Sequence, residues 1–200
     1  MALSLVTAPT AEPVRLDDVK AHVRIAATVT DDDPMIGDLI SAAAEYVEHF
    51  VHRKLITQTW DLKLDGFPAM IALPFPPVQS VSITYVDTAG ATQTLAASTY
   101  TTDFASGPLA MSAYIVPAYG QYWPSTRAVP NAVTVRFVCG YGDKENAVPW
   151  SIKTAIKLMV QHWYDVGRQP VIVGTVVSPV PKTVDDLLWP YKAFGFGCAA

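Results

Sequence analysis

Two histidines and two glutamates near the end of a predicted helix have side chains that could bind a metal ion: Glu45, Glu48, His49 and His52. A zinc-protease helix needs two histidines four residues apart with a glutamate directly after the first, and a di-iron bundle needs Glu-x-x-His. Neither spacing occurs in this segment. Charged side chains three or four residues apart on a helix usually pair with each other in solvent. We therefore predict a charge-paired helix face and no metal site.

The other residue types that serve catalysis are scattered along the chain. Cys139 has no basic neighbour in sequence that would lower its pKa, and His22 and His162 lie beside apolar residues. Asp31–Asp33 precede a helix, where acidic side chains complement the helix dipole. The sequence contains no nucleophile elbow, phosphate-binding loop or dinucleotide fingerprint. We expect no catalytic residues and no cofactor, and we predict that the chain is not an enzyme.

A cluster of aromatic residues lies in a loop rich in proline and glycine, between residues 117 and 124. Its large side chains are Tyr119, Tyr122 and Trp123. Aromatics in such a loop stack on a sugar or base, anchor an interface, or pin the loop to its own sheet. We predict that these three residues form a subunit interface. The alternative function is a soluble ligand- or sugar-binding module that uses residues 119–123.

The spacing of hydrophobic residues predicts three helices, two before this loop in the sequence and one after it. The first spans residues 16–25, and the second spans residues 34–54 behind Asp33 as its N-cap. The third spans residues 151–166, and Gly167 ends it. These helices lie at the two ends of the chain and supply most of its long apolar stripes.

Between residues 57 and 140, apolar and polar residues alternate with a period of two, which indicates strands. The alternation is clear around Leu62, Ile83 and Val135 and weaker near Tyr100 and Tyr114. The N-terminal arm up to residue 13 is predicted to be extended. The fold class is therefore α+β, with helices from both ends packing around or beside a small antiparallel sheet.

Residues 168–200 differ in composition from the chain before them. The stretch 168–182 is apolar and β-branched but interrupted by glycine and proline, and Thr183 then begins a short helix. Such a segment does not order itself as an isolated tail. We divide the chain into a domain of residues 1–167 and a C-terminal docking arm of residues 168–200. In the alternative, the arm folds back onto its own helices. The predicted docking residues are Val173, Val176, Leu187, Leu188, Trp189 and Tyr191.

The composition limits the class of protein. Half of the 200 residues are apolar and only 16% are charged, against roughly 25% in an ordinary soluble domain. This balance excludes a disordered chain and indicates that a partner covers part of the surface. The net charge of −4 excludes the basic field of a nucleic-acid-binding protein. Two distant cysteines make no disulfide framework, and we expect a cytosolic protein without a signal peptide or membrane span.

The order of these features resembles the phage head–tail connector (adaptor) family, which is found also in prophages and gene-transfer agents. No single motif is specific, but the order and spacing of the segments together carry the resemblance. The segments are PVRLDDVKAHVR at residues 13–24, DDD at 31–33, AAAEYVE at 42–48, TQTW at 57–60, LPFPPVQSV at 73–81, YVD at 85–87, VTVRFVCGYG at 133–142, Val148-Pro149 and Trp163-Tyr164.

The resemblance implies a helical core shared with other connectors, into which a β region of about residues 57–140 is inserted. It implies a homo-oligomeric, dodecameric ring beneath the portal protein that links capsid to tail through a tail-side connector or stopper protein. DNA passes through such a ring without specific binding. The family has no catalytic residues. The implied location is the neck of a virion or phage-like particle, with synthesis in the bacterial cytoplasm and no membrane contact.

Overall fold

The structure is a computed structural model that describes residues 2–105, 107–168 and 182–193. The helices are α1 (Leu16–His22), α2 (Asp33–Val51), α3 (Trp150–Arg168) and α4 (Lys182–Leu188). The strands are β1 (Ala2–Thr7), β2 (Gln58–Leu64), β3 (Ile71–Ala72), β4 (Val78–Val86), β5 (Thr92–Thr94), β6 (Tyr100–Phe104), β7 (Ala113–Pro117) and β8 (Val133–Cys139). Single 3-10 turns lie at Ala97–Thr99, Glu145–Ala147 and Trp189–Tyr191. The predicted α+β class is confirmed at this level.

The helices form one apolar core, because each has a stripe of apolar side chains on one face. The helix α2 packs against α3, α3 packs against α4, and α1 contacts both α2 and α3. The buried residues of α2 and α3 include Ile36, Ile40, Ala43, Val47, Val51, Ile152, Ala155, Ile156, Met159 and Val160. Lys20, buried on α1, forms an ion pair with Asp33 at 2.6 Å and ties the first helix to the start of the second.

The helix ends differ from the predicted ones by a few residues. The helix α1 ends at His22, three residues before Ile25. The N-cap of α2 is Asp32 rather than Asp33, and its side chain makes no capping bond. The helix α2 stops at Val51, because His52 adopts the left-handed conformation (φ 54°) that terminates helices. Residues after His52 therefore leave the helix axis.

Five strands form the larger sheet in the order β1-β2-β8-β4-β5, and all the observed pairs are antiparallel. Leu62 lies opposite Val135, which lies opposite Ile83. Directly opposed residues of a ladder share a face of the sheet, so these three side chains make one apolar face. The strand β1 is the N-terminal arm, which was predicted only as extended and in fact pairs with β2.

A smaller sheet, in the order β3-β7-β6, packs on this apolar face. Ile71 and Ile115 are paired across β3 and β7 and are fully buried in the second apolar core. The weak alternation near Tyr100 and Tyr114 marked β6 and β7 correctly. The molecule thus has a helical core and a β core, and the described strands other than β1 lie in the chain between α2 and α3.

The helix α4 and the turn after it pack onto the helical core. Val184 and Leu188 are fully buried there, while Leu187 and Tyr191 are partly buried against it. The sequence interpretation assigned Leu188 to a partner; this assignment is wrong, because the side chain is enclosed by its own subunit. Val173 and Val176 lie outside the described residues.

Candidate protein-interaction surfaces

The helix end that contains His49 and His52 is held by structural contacts. One Glu48 oxygen accepts a bond from Lys54 Nζ at 2.7 Å, and the other accepts from the backbone N–H of Leu55 at 2.9 Å. Glu48 therefore satisfies the first donors after the helix; its ion pair is with Lys54 beyond the helix end, and not with a residue three or four positions away as predicted. In the described part of the chain, no three His, Cys, Asp or Glu residues are grouped to hold a metal ion.

Cys139 is fully buried at the end of β8. Burial raises the pKa of its thiol to about 12, because the thiolate would lose its hydration there. The thiol is therefore protonated at neutral pH and is a poor nucleophile. Its place in the β core, between Gln58 and Val78 in the ladder, is a packing role.

Arg53 is the residue that the sequence interpretation missed. The turn at His52 moves it off the helix end and into the interior, where it is fully buried. Its Nε donates to the carbonyl of Tyr191, and one terminal nitrogen donates to the carbonyl of Pro76 at 3.3 Å. Loss of hydration lowers the pKa of the guanidinium, and the nearby Tyr141 partly opposes this shift. Arg53 thus joins α2, the loop before β4 and the turn after α4.

No sequence signal marked Arg53 for this position. A cation in the last turn of a helix has an ordinary interpretation, which is compensation of the helix dipole. Only the left-handed turn at the preceding residue changes the direction of the side chain. The partners of Arg53 lie 23 and 138 residues away in the chain.

The aromatic loop divides into an anchored part and an exposed part. Trp123 stacks on Phe67 with ring centroids 4.8 Å apart, and Phe67 contacts Tyr85 of β4 edge-on at 5.8 Å. Tyr119 and Tyr122 are almost fully exposed. Trp123 therefore pins the loop to its own sheet, and the contact of all three residues with a neighbouring subunit stays a prediction. A sugar platform would also lose the Trp123 face that stacks on Phe67.

Among the described docking residues, Trp189 is the one with a large exposed surface. Its side chain is 58% exposed. Lys192 lies beside it, with Nζ 5.5 Å from the Trp189 ring and 4.9 Å from the Phe50 ring. Phe50 in turn stacks with Tyr46 of α2 at 6.4 Å. We call these four residues the Trp189 patch.

Two further exposed apolar surfaces had no place in the sequence interpretation. Trp150, at the start of α3, is 75% exposed, with Lys153 Nζ 3.6 Å from its ring centre. Position 150 lies about 200° around the helix from the buried Ile152, so helical spacing could have placed it outward. The second surface is β1, where Leu3, Leu5 and Val6 are each more than a third exposed.

The exposed leucines of β1 continue the apolar face of the large sheet. Leu3 lies opposite Leu62, and Leu5 lies opposite Trp60. The small sheet covers the middle of this face, but it leaves β1 open at the edge. A strand with exposed leucines at a free sheet edge is the type of element that proteins normally cover.

Comparisons with known proteins agree on one type of relative. A family model described as "Head completion protein" matches residues 14–192. Three similar solved structures each cover 100% of this chain and are themselves covered to 99%. They are the neck of an empty GTA particle computed with C6 symmetry (23% identity, TM-score 0.76), the virion of a native gene transfer agent particle (21%, 0.76), and the neck of a native GTA particle computed with C12 symmetry (20%, 0.72). A search of curated proteins finds no match.

Proposed function

Because this chain belongs to the head completion protein family, a family of structural particle proteins, we propose that it is a head–tail adaptor. It forms a ring under the portal, in the neck of a phage or phage-like particle. The ring links the capsid to a tail-side connector or stopper protein and continues the DNA channel. We propose twelve subunits in the ring, a number compatible with the C12 and the C6 symmetry of the two similar neck structures.

The observation that carries the proposal is the separation of two exposed apolar surfaces on one sheet. The first is β1 with Leu3 and Leu5, at one edge. The second is the pair Tyr119 and Tyr122, whose loop is anchored beside β4 through Phe67. Strands β1 and β4 are three ladder spacings apart, or about 14 Å. A closed ring needs two different patches on every subunit, because each interface is heterologous.

The Trp189 patch is the surface that we assign to the portal. Trp and Tyr are the residue types found most often at the energetic centre of interfaces, and Lys192 adds a positive charge among the aromatic rings. The segment of residues 168–200, with Val173 and Val176, remains part of this docking proposal. Leu188 is not, because it is buried in its own subunit.

Electrostatics support a channel that lets DNA slide. The chain has a net charge of −4, and a DNA-gripping ring would instead place cations against the phosphates. We expect no sequence-specific binding in a fluorescence anisotropy titration at physiological salt. Tight binding that depends on the DNA sequence would contradict this expectation.

A complementation experiment tests the ring. The isolated chain is expected to be a monomer or weak oligomer by light scattering, and to form rings on its cognate portal, counted by electron microscopy. Leu5→Ser and Tyr122→Ser should each reduce ring-bearing portals at least tenfold, because each removes one side of every interface. The two variants mixed together should place adjacent pairs of subunits on the portal, since each retains the surface that the other lacks.

Trp189→Ala tests the portal surface separately, by direct measurement of its binding to the portal. It removes an exposed aromatic outside both ring surfaces, so it should reduce portal binding while leaving the subunit fold unchanged. Normal ring formation by both Leu5→Ser and Tyr122→Ser would refute these two surfaces. Stable rings of the isolated chain at micromolar concentration would refute assembly templated by the portal, though not the adaptor role.

A further inference from the structure

The start of α3 presents an exposed tryptophan at the edge of a cavity. Trp150 is 75% exposed and lines a cavity of about 600 Å³, whose other walls come from both the helical core and the β core. The aromatic side chains of Phe104, Tyr141 and Tyr191 also line it. None of its described lining residues is charged. We call this cavity the Trp150 groove.

A buried lysine lies against the tryptophan. Lys153 is only 7% exposed, and its Nζ lies 3.6 Å from the centre of the Trp150 ring. Side chains on a helix lean towards its N-terminus, so this ammonium is directed back over the first turn of α3. Within the described residues it forms neither an ion pair nor a hydrogen bond. Its positive charge is therefore compensated by the face of one aromatic ring and by no anion.

The start of α2 shows how a similar arrangement is balanced within the chain. Lys20 is the other buried lysine among the described residues, and Asp33 in the first turn of α2 binds its Nζ at 2.6 Å. The first turn of α3 contains no acidic residue. Because a helix N-terminus is the positive end of the dipole, a cation is unfavourable there and a carboxylate is favourable. The start of α3 therefore has the positive charges of a carboxylate site without the carboxylate.

A partner can supply this carboxylate. Tyr191 lines the groove, and Trp189, two residues earlier in the same turn, belongs to the patch that we assign to the portal. The groove and the patch therefore adjoin at this turn. We propose that an acidic segment of the portal binds along the Trp150 groove, with a carboxylate at the start of α3 beside Lys153 and an apolar side chain in the cavity. This inference rests on the proposed adaptor function and names the chemistry of its portal contact.

Size and charge both suit such a segment. An apolar cavity of about 150 Å³ is enough to hold a benzene molecule, so the groove admits a large side chain together with part of its backbone. Tryptophan is among the residue types found most often at the energetic centre of interfaces. Lys192 adds a positive charge beside the Trp189 ring, at 5.5 Å. Both ends of the combined surface therefore favour a partner of negative charge.

Substitution of Ser151 places the missing carboxylate in the chain itself. Ser151→Asp adds an acid to the first turn of α3, so it should raise Tm and weaken binding to the cognate portal about tenfold or more, because it repels the incoming carboxylate. Ser151→Asn is the matched control, since it has nearly the same shape without the charge, and it should bind within about twofold of the unchanged protein. Equal portal affinities for Ser151→Asp and Ser151→Asn, measured by biolayer interferometry, would overturn the proposal.

Lys153→Met removes the charge and keeps most of the length of the side chain. It should weaken portal binding about tenfold and reduce the dependence of binding on salt concentration. Its Tm should be unchanged or higher, because a buried cation has been removed from the positive end of a helix. A lower Tm with unaltered portal binding would show a purely structural lysine and would overturn the proposal.

Trp150→Ala tests the apolar part of the contact. It should weaken portal binding about tenfold or more while leaving Tm nearly unchanged, because the side chain is exposed. Met35→Ala is its control, since Met35 is an exposed apolar residue at the start of α2, and it should bind normally. Portal binding by the unchanged chain that Trp150→Ala and Lys153→Met leave unaltered would overturn the acidic contact alone. Absence of portal binding by the unchanged chain would instead refute the adaptor function, and this contact with it.

Discussion

Leu188→Ala and Trp189→Ala change neighbouring residues that the structure treats in opposite ways. Leu188 is 0% exposed within the helical core, and Trp189 is 58% exposed. A buried leucine truncated to alanine costs about 2–5 kcal/mol, from lost burial and the cavity that remains. Because α4 has only seven residues, we take about 3 kcal/mol for Leu188. The exposed contact of Trp189 with Lys192 is worth about 0.5–1 kcal/mol.

These free energies give separable thermal shifts. For a chain of 150–250 residues, 1 kcal/mol corresponds to roughly 2–4 °C in Tm. Leu188→Ala should therefore lower Tm by about 6–12 °C, and Trp189→Ala by less than about 4 °C. Thermal unfolding followed by circular dichroism, at one protein concentration and pH, measures both Tm shifts. Urea titrations check that Leu188→Ala also loses more free energy of unfolding than Trp189→Ala.

In the portal-binding assay, the two variants should rank in the opposite order to their effects on Tm. Trp189→Ala should weaken binding to the portal strongly, while Leu188→Ala should bind normally at temperatures where it is folded. Small and equal Tm shifts for the two variants would refute the packing of α4 onto the core. They would restore the interpretation in which both side chains serve a partner.

Three other changes test individual contacts. Arg53→Met should lower the free energy of unfolding, measured by urea titration, by about 1–3 kcal/mol, because the carbonyls of Tyr191 and Pro76 lose their donor. An unchanged free energy of unfolding would refute the bridging role of Arg53. Gly140→Ala should cost about 2 kcal/mol or more, since φ is +125° and an added Cβ would lie 2.7 Å from the Ile56 carbonyl. Gly37→Ala, with nothing within 4 Å, is its control and should not destabilise. Burial raises the pKa of the Cys139 thiol from 9.0 to about 12. The stability contributed by the buried, protonated thiol is therefore complete below pH 9 and is lost as pH rises towards 12, because the unfolded chain loses this proton first. Between pH 9 and 11, the free energy of unfolding of Cys139→Ala should fall less than that of the unchanged protein.

Periodicity alone determined most of the secondary structure. The stripes in α2 and α3 and the alternation in β2, β4 and β8 follow from the geometry of helix and strand, which repeats along the chain. They predicted the elements and the α+β class. The order and spacing of particular sequence segments carried the family resemblance, which the match over residues 14–192 confirms. The same local signals could not place helix ends, because one residue in the left-handed conformation at His52 ended α2 early.

The tertiary structure alone decided which apolar side chains face a partner. Leu188 is buried, while the adjacent Trp189 faces solvent. Trp123 packs against the β core, while the adjacent Tyr122 faces solvent. A single turn or an irregular loop contains too few residues to repeat a pattern, so composition cannot assign its faces. The assignment depends on neighbours distant in the chain, such as α3 for Leu188 and Phe67 for Trp123. Arg53 obeys the same rule, since its burial depends on carbonyls contributed by two other segments.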